Sequence, residues 1–383
     1  MSWEKVKLGD IATFSNGINF GEDAYSSGVK LITVSDFGNL YYPDYASLNE
    51  VDEKVLRKND YLKDGDIVFV RSNGNKELVG RCMLISNPPA PVTYSGFCIR
   101  ARLNDTQLNA PHFFAYYFKS QIFRKAMSNS AVGANIQNLN QGLLSNHILS
   151  LPPLKEQKRI ADILSAYDNL IENNQKQIKL LEEAAQCLYK QWFIDLRYPG
   201  HETTPIVDGL PQGWRKECLG NLVPILTGKK DANYGTADGK YPFFTCSQEP
   251  IKSPGYSFDT SAVILAGNGD FNVKLYRGKF EAYQRTYVLA PKDKNYLYLV
   301  YNSVQGKMRE LFQGASGSTI KFLTKGMIES IPIVIPSNLI LKKFNDLQDA
   351  IQKKIEVLKT SIICSVESRD RLLPKLMNGE LEI

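Results

Sequence analysis

The 383-residue sequence predicts an α+β chain in which two β-rich globules are joined by two long helices forming an antiparallel coiled coil, with a pseudo-twofold internal repeat. Three observations carry this. One apolar stripe runs unbroken from Leu154 to Arg197. Landmarks of the first half recur in the second, at an offset fixed within each stretch. Each half also places many short β-like runs, broken by Gly, Asn and Pro, ahead of its helical segment.

In the first helix Ile160, Leu164, Tyr167, Ile171, Asn174, Ile178, Leu181, Ala185, Leu188 and Trp192 follow at alternating steps of four and three. That alternation keeps one seam facing a partner helix. Roughly 40 residues at 1.5 Å each make a rod of about 60 Å, too long to bury its stripe inside one globule. Asn174, polar within the seam, points to register control against a specific partner. The second stripe reads Phe344, Leu347, Ile351, Ile355, Leu358, Ile362. Two complementary stripes in one chain most simply pair with each other.

The repeat begins with Trp3, Leu8, Gly9, Ile11 and Gly17, which return 211 residues later as Trp214, Leu219, Gly220, Leu222 and Gly228. The strand-like Gly65–Val70, entering a polar loop, corresponds to Ala262–Leu265 entering Gly267, Asn268, Gly269, Asp270. Gly133, Ile136, Leu139, Leu151 and Pro152 return at offset 184 as Gly317, Ile320, Leu323, Ile335 and Pro336. In the helices the offset is 177, one heptad fewer, which leaves the seam in phase. The expected divisions are residues 1–150 and 214–336 for the globules, 151–198 and 337–383 for the helices, and 199–213 for a Pro- and Gly-rich linker.

No stretch approaches the ~20 apolar residues that span a bilayer, and the first residues are no signal peptide, so a soluble cytoplasmic protein is expected. Six scattered cysteines and three isolated histidines offer neither a disulfide framework nor a zinc site. The net charge is +6, and residues 214–336 alone carry 16 basic against 10 acidic side chains. That permits phosphate contact there without amounting to a nucleic-acid footprint.

Two enzyme signatures occur formally. Asn87-Pro88-Pro89 matches part of the Asn-Pro-Pro-aromatic loop of amino-methyltransferases, but Ala90 follows and no glycine-rich cofactor turn precedes it. Pro43-Asp44 with Asp52, Glu53 and Lys54 matches a metal-dependent nuclease pattern, yet the segment reads as an exposed turn and its repeat partner lacks the pattern.

The stretches Leu151–Leu164 (LPPLKEQKRIADIL), Trp192–Trp214 and Leu372–Leu381 (LLPKLMNGEL) resemble the helical and linker segments of the DNA specificity subunits of type I restriction-modification systems, and the resemblance covers the whole chain. It implies a non-catalytic bacterial or archaeal adapter whose globules are target recognition domains, each reading half of a split double-stranded DNA target. The helices would act as a ruler and as a dock for two methyltransferase subunits, to which restriction and translocase subunits add. No cofactor would be bound by this chain; S-adenosylmethionine, ATP and Mg would sit on the partner subunits. The alternative is a self-contained restriction-modification enzyme or nuclease, disfavoured by the lack of motor or methyl-donor motifs; a repeat adapter binding only proteins is a third class.

Base reading needs polar side chains on loops able to enter a groove. The candidates in the first copy are Arg71, Ser72, Asn73, Asn75, Lys76, Arg81, Tyr94, Ser95, Asn135 and Gln137. In the second they are Lys229, Lys230, Asn233, Tyr234, Asn268, Asn272, Gln284, Arg285, Ser318 and Lys321. Trp192 and Phe193 are expected to pack rather than to stack on a base.

Overall fold

A computed structural model describes residues 3–21, 24–38, 41–72, 80–130, 139–317 and 321–381, the side chains of 128–130 excepted. The chain divides into two units, Met1–Asn174 with Thr360–Ile383, and Gln175–Lys359.

In order, the first unit holds β1 (Glu4–Lys7), α1 (Leu8–Ile11), β2 (Ala12–Asn16), β3 (Tyr25–Ile32), β4 (Asn49–Val51), β5 (Ile67–Val70), β6 (Cys82–Leu84), β7 (Val92–Tyr94) and β8 (Cys98–Leu103). Helices α2 (Pro111–Lys119), α3 (Gln121–Ser130) and α4 (Gln141–Asn146), strand β9 (Ile148–Leu151) and the long helix α5 (Leu154–Tyr189) follow, α5 running on into the second unit. One sheet has the order β2-β8-β5-β6 and another β4-β3-β7. All four residues of β5 are buried because the strand has a core on each face. Ile67 and Phe69 pack among the aromatics of α2, while Val68 and Val70 join Phe37, Leu48, Val92 and Tyr94. Pro111 opens α2 at its first turn, where a missing N–H costs nothing, and Phe113 to Phe118 are then buried without interruption.

The second unit continues with β10 (Ile206–Val207), β11 (Leu210–Pro211), β12 (Arg215–Cys218), α6 (Leu219–Leu222), β13 (Ile225–Thr227), β14 (Tyr241–Phe244), β15 (Ile251–Ser253), β16 (Phe258–Ala266), β17 (Val273–Ala282) and β18 (Thr286–Leu289). Then come α7 (Leu297–Gly314), α8 (Lys325–Glu329), β19 (Pro332–Ile335) and α9 (Asn338–Met377), which ends in the first unit. Here one six-stranded sheet runs β13-β18-β16-β17-β14-β15. The ten-residue β17 pairs antiparallel with β16 and, at its far end, parallel with β14. In the first unit β6 and β7 share those two tasks, β6 pairing antiparallel with β5 and β7 parallel with β3. The Asn87–Pro91 stretch between them explains the split: Pro88, Pro89 and Pro91 have no N–H for a ladder, and Asn87 takes a left-handed φ of 42°. In both units the first and last strands pair, β1 with β9 and β12 with β19, closing each globule where its long helix starts.

The long helices run antiparallel wherever they meet within a unit. In the first, Arg369 Nη1 lies 2.5 Å from Asp168 Oδ1, and Asn174 Nδ2 donates to Ser361 Oγ at 3.0 Å. In the second, Gln348 Nε2 donates to the Ala185 carbonyl at 3.1 Å, and Phe344 packs on Tyr189 and Trp192. Ile160, Leu164 and Asn174 are buried, while Tyr167, Ile171, Ile178, Leu181 and Leu188 are half-buried along the seam. The second stripe needs one correction: Leu347 is 46% exposed, and Gln348 is buried in its place. Steps of three, four and four through Phe344, Leu347, Ile351 and Ile355 break the alternation, whereas Phe344, Gln348, Ile351, Ile355, Leu358, Ile362 and Ser365 keep it.

After α5 a π-turn, Lys190–Ile194, puts both Trp192 and Phe193 in the core. Phe193 sits edge-on to Phe344 at 4.8 Å and 5.7 Å from Trp214. The expected linker is also structured: Tyr198 packs on Trp214 at 4.5 Å, and β10 and β11 form a small hairpin. The Pro-Gly punctuation builds turns there, with Gly200, Gly209 and Gly213 at positive φ.

Candidate nucleic-acid interface

Each sheet gathers several loops, and backbone hydrogen bonds fix the gathering in the same way in both units. Gly17, after β2, runs beside the Tyr94 and Ser95 carbonyls, which would stand 2.3 Å from any Cβ added there. Gly228, after β13, runs beside the Ala282 carbonyl, 1.9 Å from such a Cβ. Only glycine admits that approach, which accounts for its return in the repeat. Parallel bridges follow, Ile18 to Ser95 and Lys230 to Tyr283. The Leu139 N–H donates to the Arg71 carbonyl at 2.9 Å, and the Leu323 N–H to the Gly267 carbonyl at 2.8 Å.

In the second unit this brings most of the sequence candidates together. Lys229, Asn233, Gln284, Arg285 and Lys321 are exposed, and Lys230, Tyr234 and Asn268 half-exposed. Lys230 Nζ stands 4.4 Å over the Tyr234 ring, and Lys321 Nζ 4.4 Å over the Phe312 ring. The Gln284 N–H donates to the Lys230 carbonyl, and the Gly267 N–H to the Arg285 carbonyl, both at 2.9 Å. Asn272 is spent internally: its Nδ2 holds the Cys246 and Ser247 carbonyls at 3.1 and 3.3 Å. Lys274 donates to the same Ser247 carbonyl at 2.9 Å, and burial pushes its pKa below the usual lysine range.

In the first unit Arg71 and Ser72 are half-exposed, the Arg71 Nη1 donating to the Gly96 carbonyl at 3.3 Å. Arg81 is half-exposed at the mouth of β6. Tyr94 and Ser95 stand differently from what their place after a strand suggests. Tyr94 is 2% exposed with its hydroxyl 2.7 Å from Ser15 Oγ, and Ser95 is buried with its hydroxyl 3.7 Å from Cys98 Sγ. The parallel pairing of β7 to β3 draws Tyr94 into the sheet, and the Ser95 N–H continues it by donating to the Ile32 carbonyl at 2.9 Å. Asn73, Asn75, Lys76, Asn135, Gln137 and Ser318 lie outside the described residues. One residue of this surface has no sequence signal: Phe97, two positions beyond Ser95, is 58% exposed, although hydrophobicity alone assigns it to a core.

The formal nuclease carboxylates serve local turns. Asp44 accepts from the Ala46 N–H, Asp52 caps the turn through the Lys54 N–H, and Glu53 accepts from the Tyr61 hydroxyl. Among the described residues no three His, Cys, Asp or Glu side chains gather as a metal site, and no helix is long and apolar enough to cross a membrane.

Comparison with known proteins follows this architecture. The type I restriction modification DNA specificity domain matches residues 1–183 and again 211–366, the two copies of the repeat. The MjaIX type I restriction enzyme specificity subunit of Methanocaldococcus jannaschii is 26% identical over 100% of this chain and 94% of its own length. The EcoDI type I restriction enzyme specificity subunit of Escherichia coli is 39% identical over 45% of this chain and 39% of its own length. In fold, a crystal structure of a type I restriction-modification S subunit from M. genitalium superposes with a TM-score of 0.59, covering 98% of this chain and 96% of that one at 16% identity. The chain belongs to the type I restriction-modification DNA specificity family, as a non-catalytic specificity subunit.

Proposed function

We infer that this subunit reads a bipartite double-stranded DNA target, each unit contributing one loop cluster that reads one half. The observation that carries the reading is that one backbone framework, Gly17 and Leu139 in one unit and Gly228 and Leu323 in the other, holds up two different sets of polar side chains, half-exposed at Arg71 and Ser72 in the first and exposed at Gln284, Arg285 and Lys321 in the second. A common frame with separate readers suits two unrelated half-sites. The helices α5 and α9 pass without a break from one unit into the other, which supports their use as a spacer. At 1.5 Å per residue a 36-residue helix extends about 54 Å, ample for half-sites one helical turn, ~34 to 36 Å, apart.

On this reading the helical pair also docks two methyltransferase subunits, and restriction and translocase subunits join them in the cytoplasm. S-adenosylmethionine, ATP and Mg belong to those partners. Mapping of methylated adenines in cells with and without this subunit tests the proposal. A split motif that disappears with the subunit, and whose unread spacer shortens when one heptad is deleted from both helices, is the expected result. A spacer indifferent to the deletion overturns the ruler, and a methylation pattern indifferent to the subunit overturns the reading as a whole.

A further inference from the structure

Both units build the same turn between two strands of the frame, residues 95–98 between β7 and β8 in the first and residues 283–286 between β17 and β18 in the second. Each turn is closed from its fourth residue to its first: the Cys98 N–H donates to the Ser95 carbonyl at 2.9 Å, and the Thr286 N–H to the Tyr283 carbonyl at 2.8 Å. The first N–H of each donates to the end of a neighbouring strand, at the Ile32 or the Phe244 carbonyl. The second donates to the segment after β2 or β13, Gly96 to the Ile18 carbonyl at 2.7 Å and Gln284 to the Lys230 carbonyl at 2.9 Å. The third carbonyl, of Phe97 or Arg285, accepts from the Arg71 N–H at 2.8 Å or the Gly267 N–H at 2.9 Å. The fourth, of Cys98 or Thr286, accepts from Gly17 or Gly228 at 3.2 Å. These matched bonds give Phe97 and Arg285 the same place on the two frames.

Both side chains are exposed, and their chemistry is opposite. Phe97 is the exposed residue of a turn whose other three residues are buried. Polar groups adjoin it: Arg71 Nη1 donates to the Gly96 carbonyl at 3.3 Å, and the exposed Asn19 packs on Gly96, its Oδ1 2.1 Å from where a Cβ would stand. A phenyl ring has no hydrogen-bond donor or acceptor for phosphate oxygens or for the polar atoms of base edges. The apolar group that base pairs offer is the thymine methyl, which lies in the major groove. The same groove presents the guanine O6 and N7 that suit an arginine. A frame that sets Arg285 against such an edge in one half-site therefore sets Phe97 in the same groove of the other. That favours methyl contact over insertion between base steps, which proceeds from the minor groove.

We propose that Phe97 reads a thymine in the half-site served by the first unit, through apolar contact with its 5-methyl group. The proposal rests on the DNA reading above and deepens it by naming a base. Arg71 and Phe97 then act as neighbouring readers, one polar and one apolar, on one rigid turn.

The test uses the full subunit assembled with its methyltransferase partners, a duplex carrying the split motif found by methylation mapping, and a scrambled duplex. Each thymine of the motif is replaced in turn by uracil, which removes the methyl group and keeps the pairing. At the thymine that Phe97 touches, wild-type affinity is expected to fall roughly fourfold, the worth of one buried methyl group. Phe97→Ala, checked by thermal melt, should bind the unsubstituted motif at least that much more weakly than wild type. It should be indifferent to uracil at that one position, keep the wild-type response at every other thymine, and bind the scrambled duplex as wild type does. A variant that responds to uracil everywhere as wild type does overturns the proposal. So does weaker assembly of the variant with the methyltransferase subunits in the absence of DNA, with uracil discrimination intact, which would make Phe97 a protein contact. Fluorescence of 2-aminopurine that wild type brightens at one base step and the variant does not, again with discrimination intact, overturns it in favour of a wedge. If the wild-type complex itself does not prefer the motif to the scrambled duplex, the reading beneath the proposal fails, a result distinct from a wild type that discriminates alongside a variant that matches it.

Discussion

The hydrogen bond between Asn174 and Ser361 makes an asymmetric prediction, because its two ends differ in burial. Asn174 is 4% exposed in the seam, whereas Ser361 is half-exposed and can turn its hydroxyl to water. Ser361→Ala removes the acceptor and strands the Asn174 amide in an apolar seam, at a cost of about 1 to 3 kcal/mol. Asn174→Leu removes the buried amide itself. It forfeits a bond with a net value of about 1 kcal/mol and buries an apolar side chain that contributes about 2 kcal/mol, so it should leave the seam as stable or more so by about 1 kcal/mol. In the Asn174→Leu background, Ser361→Ala should then cost less than about 0.5 kcal/mol, a coupling of roughly 0.5 to 3 kcal/mol. A chain of two units need not unfold in one step, so the local measurement is hydrogen exchange of the α5 amides near residue 174, supported by urea titration. If both single substitutions destabilise equally, the bond acts through its own strength rather than through the cost of an unpaired amide, and the reasoning is wrong.

Three further outcomes follow, two from the attachments between globules and helices and one from a loop. Tyr116 of α2 donates to Asp168 Oδ2 at 2.5 Å, and Arg369 grips the other oxygen, so Asp168→Ala should cost roughly 2 to 4 kcal/mol by leaving a buried hydroxyl unpaired and Arg369 with Asp370 as its remaining carboxylate; Tyr116→Phe should cost less, about 1 to 2 kcal/mol, both read from urea midpoints. In the second unit Asp349 plays the corresponding part, held below the carboxylate range at about 2 by Lys353, Tyr298 and Arg277. Its folded pKa lies below the usual 3.8, so its contribution is whole above about pH 4 and fades as the pH falls towards 2, and the stability gap between wild type and Asp349→Asn should close over that window in an acid titration. Arg71→Ala should relax base preference in one half-site of the methylation map while leaving the other unchanged; an equal loss at both would demote Arg71 to a phosphate contact.

The sequence was most legible where geometry leaves no alternative. A seam must alternate steps of four and three, so the helical stripe could be read residue by residue, and Leu347 was misplaced only where hydrophobicity was allowed to outrank the alternation that keeps Gln348 inside. Glycines were legible as landmarks but not as causes, since the carbonyls that crowd Gly17 and Gly228 come from strands far along the chain. In the sequence Asn87-Pro88-Pro89 stands out only as a partial methyltransferase match, and that the proline run divides one sheet into two emerges only when β6 and β7 are set beside the single β17. For the loops, type and position decide little. A tyrosine after a strand can face solvent or core, and Tyr94 faces the core because Ser15 meets its hydroxyl.

That division between what could and could not be read has a physical basis in the work of a DNA reader. The positions that return between copies are those that bring the loops together: the close-approach glycines, the leucines whose N–H groups tie the Arg71 and Gly267 carbonyls, and the strand pairs that close each globule. Those positions answer to backbone sterics and hydrogen bonding, which do not depend on the DNA being read. On the function proposed above, the exposed side chains would answer to base edges, and two unrelated half-sites would ask for two unrelated sets. An exposed Phe97 beside Arg71 in one unit, and a lysine–tyrosine pair at Lys230 and Tyr234 in the other, are therefore what a duplicated frame with separately specialised surfaces should show. It follows that exchanging exposed loop residues within one unit should alter the sequence read there and spare the fold, whereas filling Gly228 with alanine should disturb the frame, because its Cβ would stand 1.9 Å from the Ala282 carbonyl.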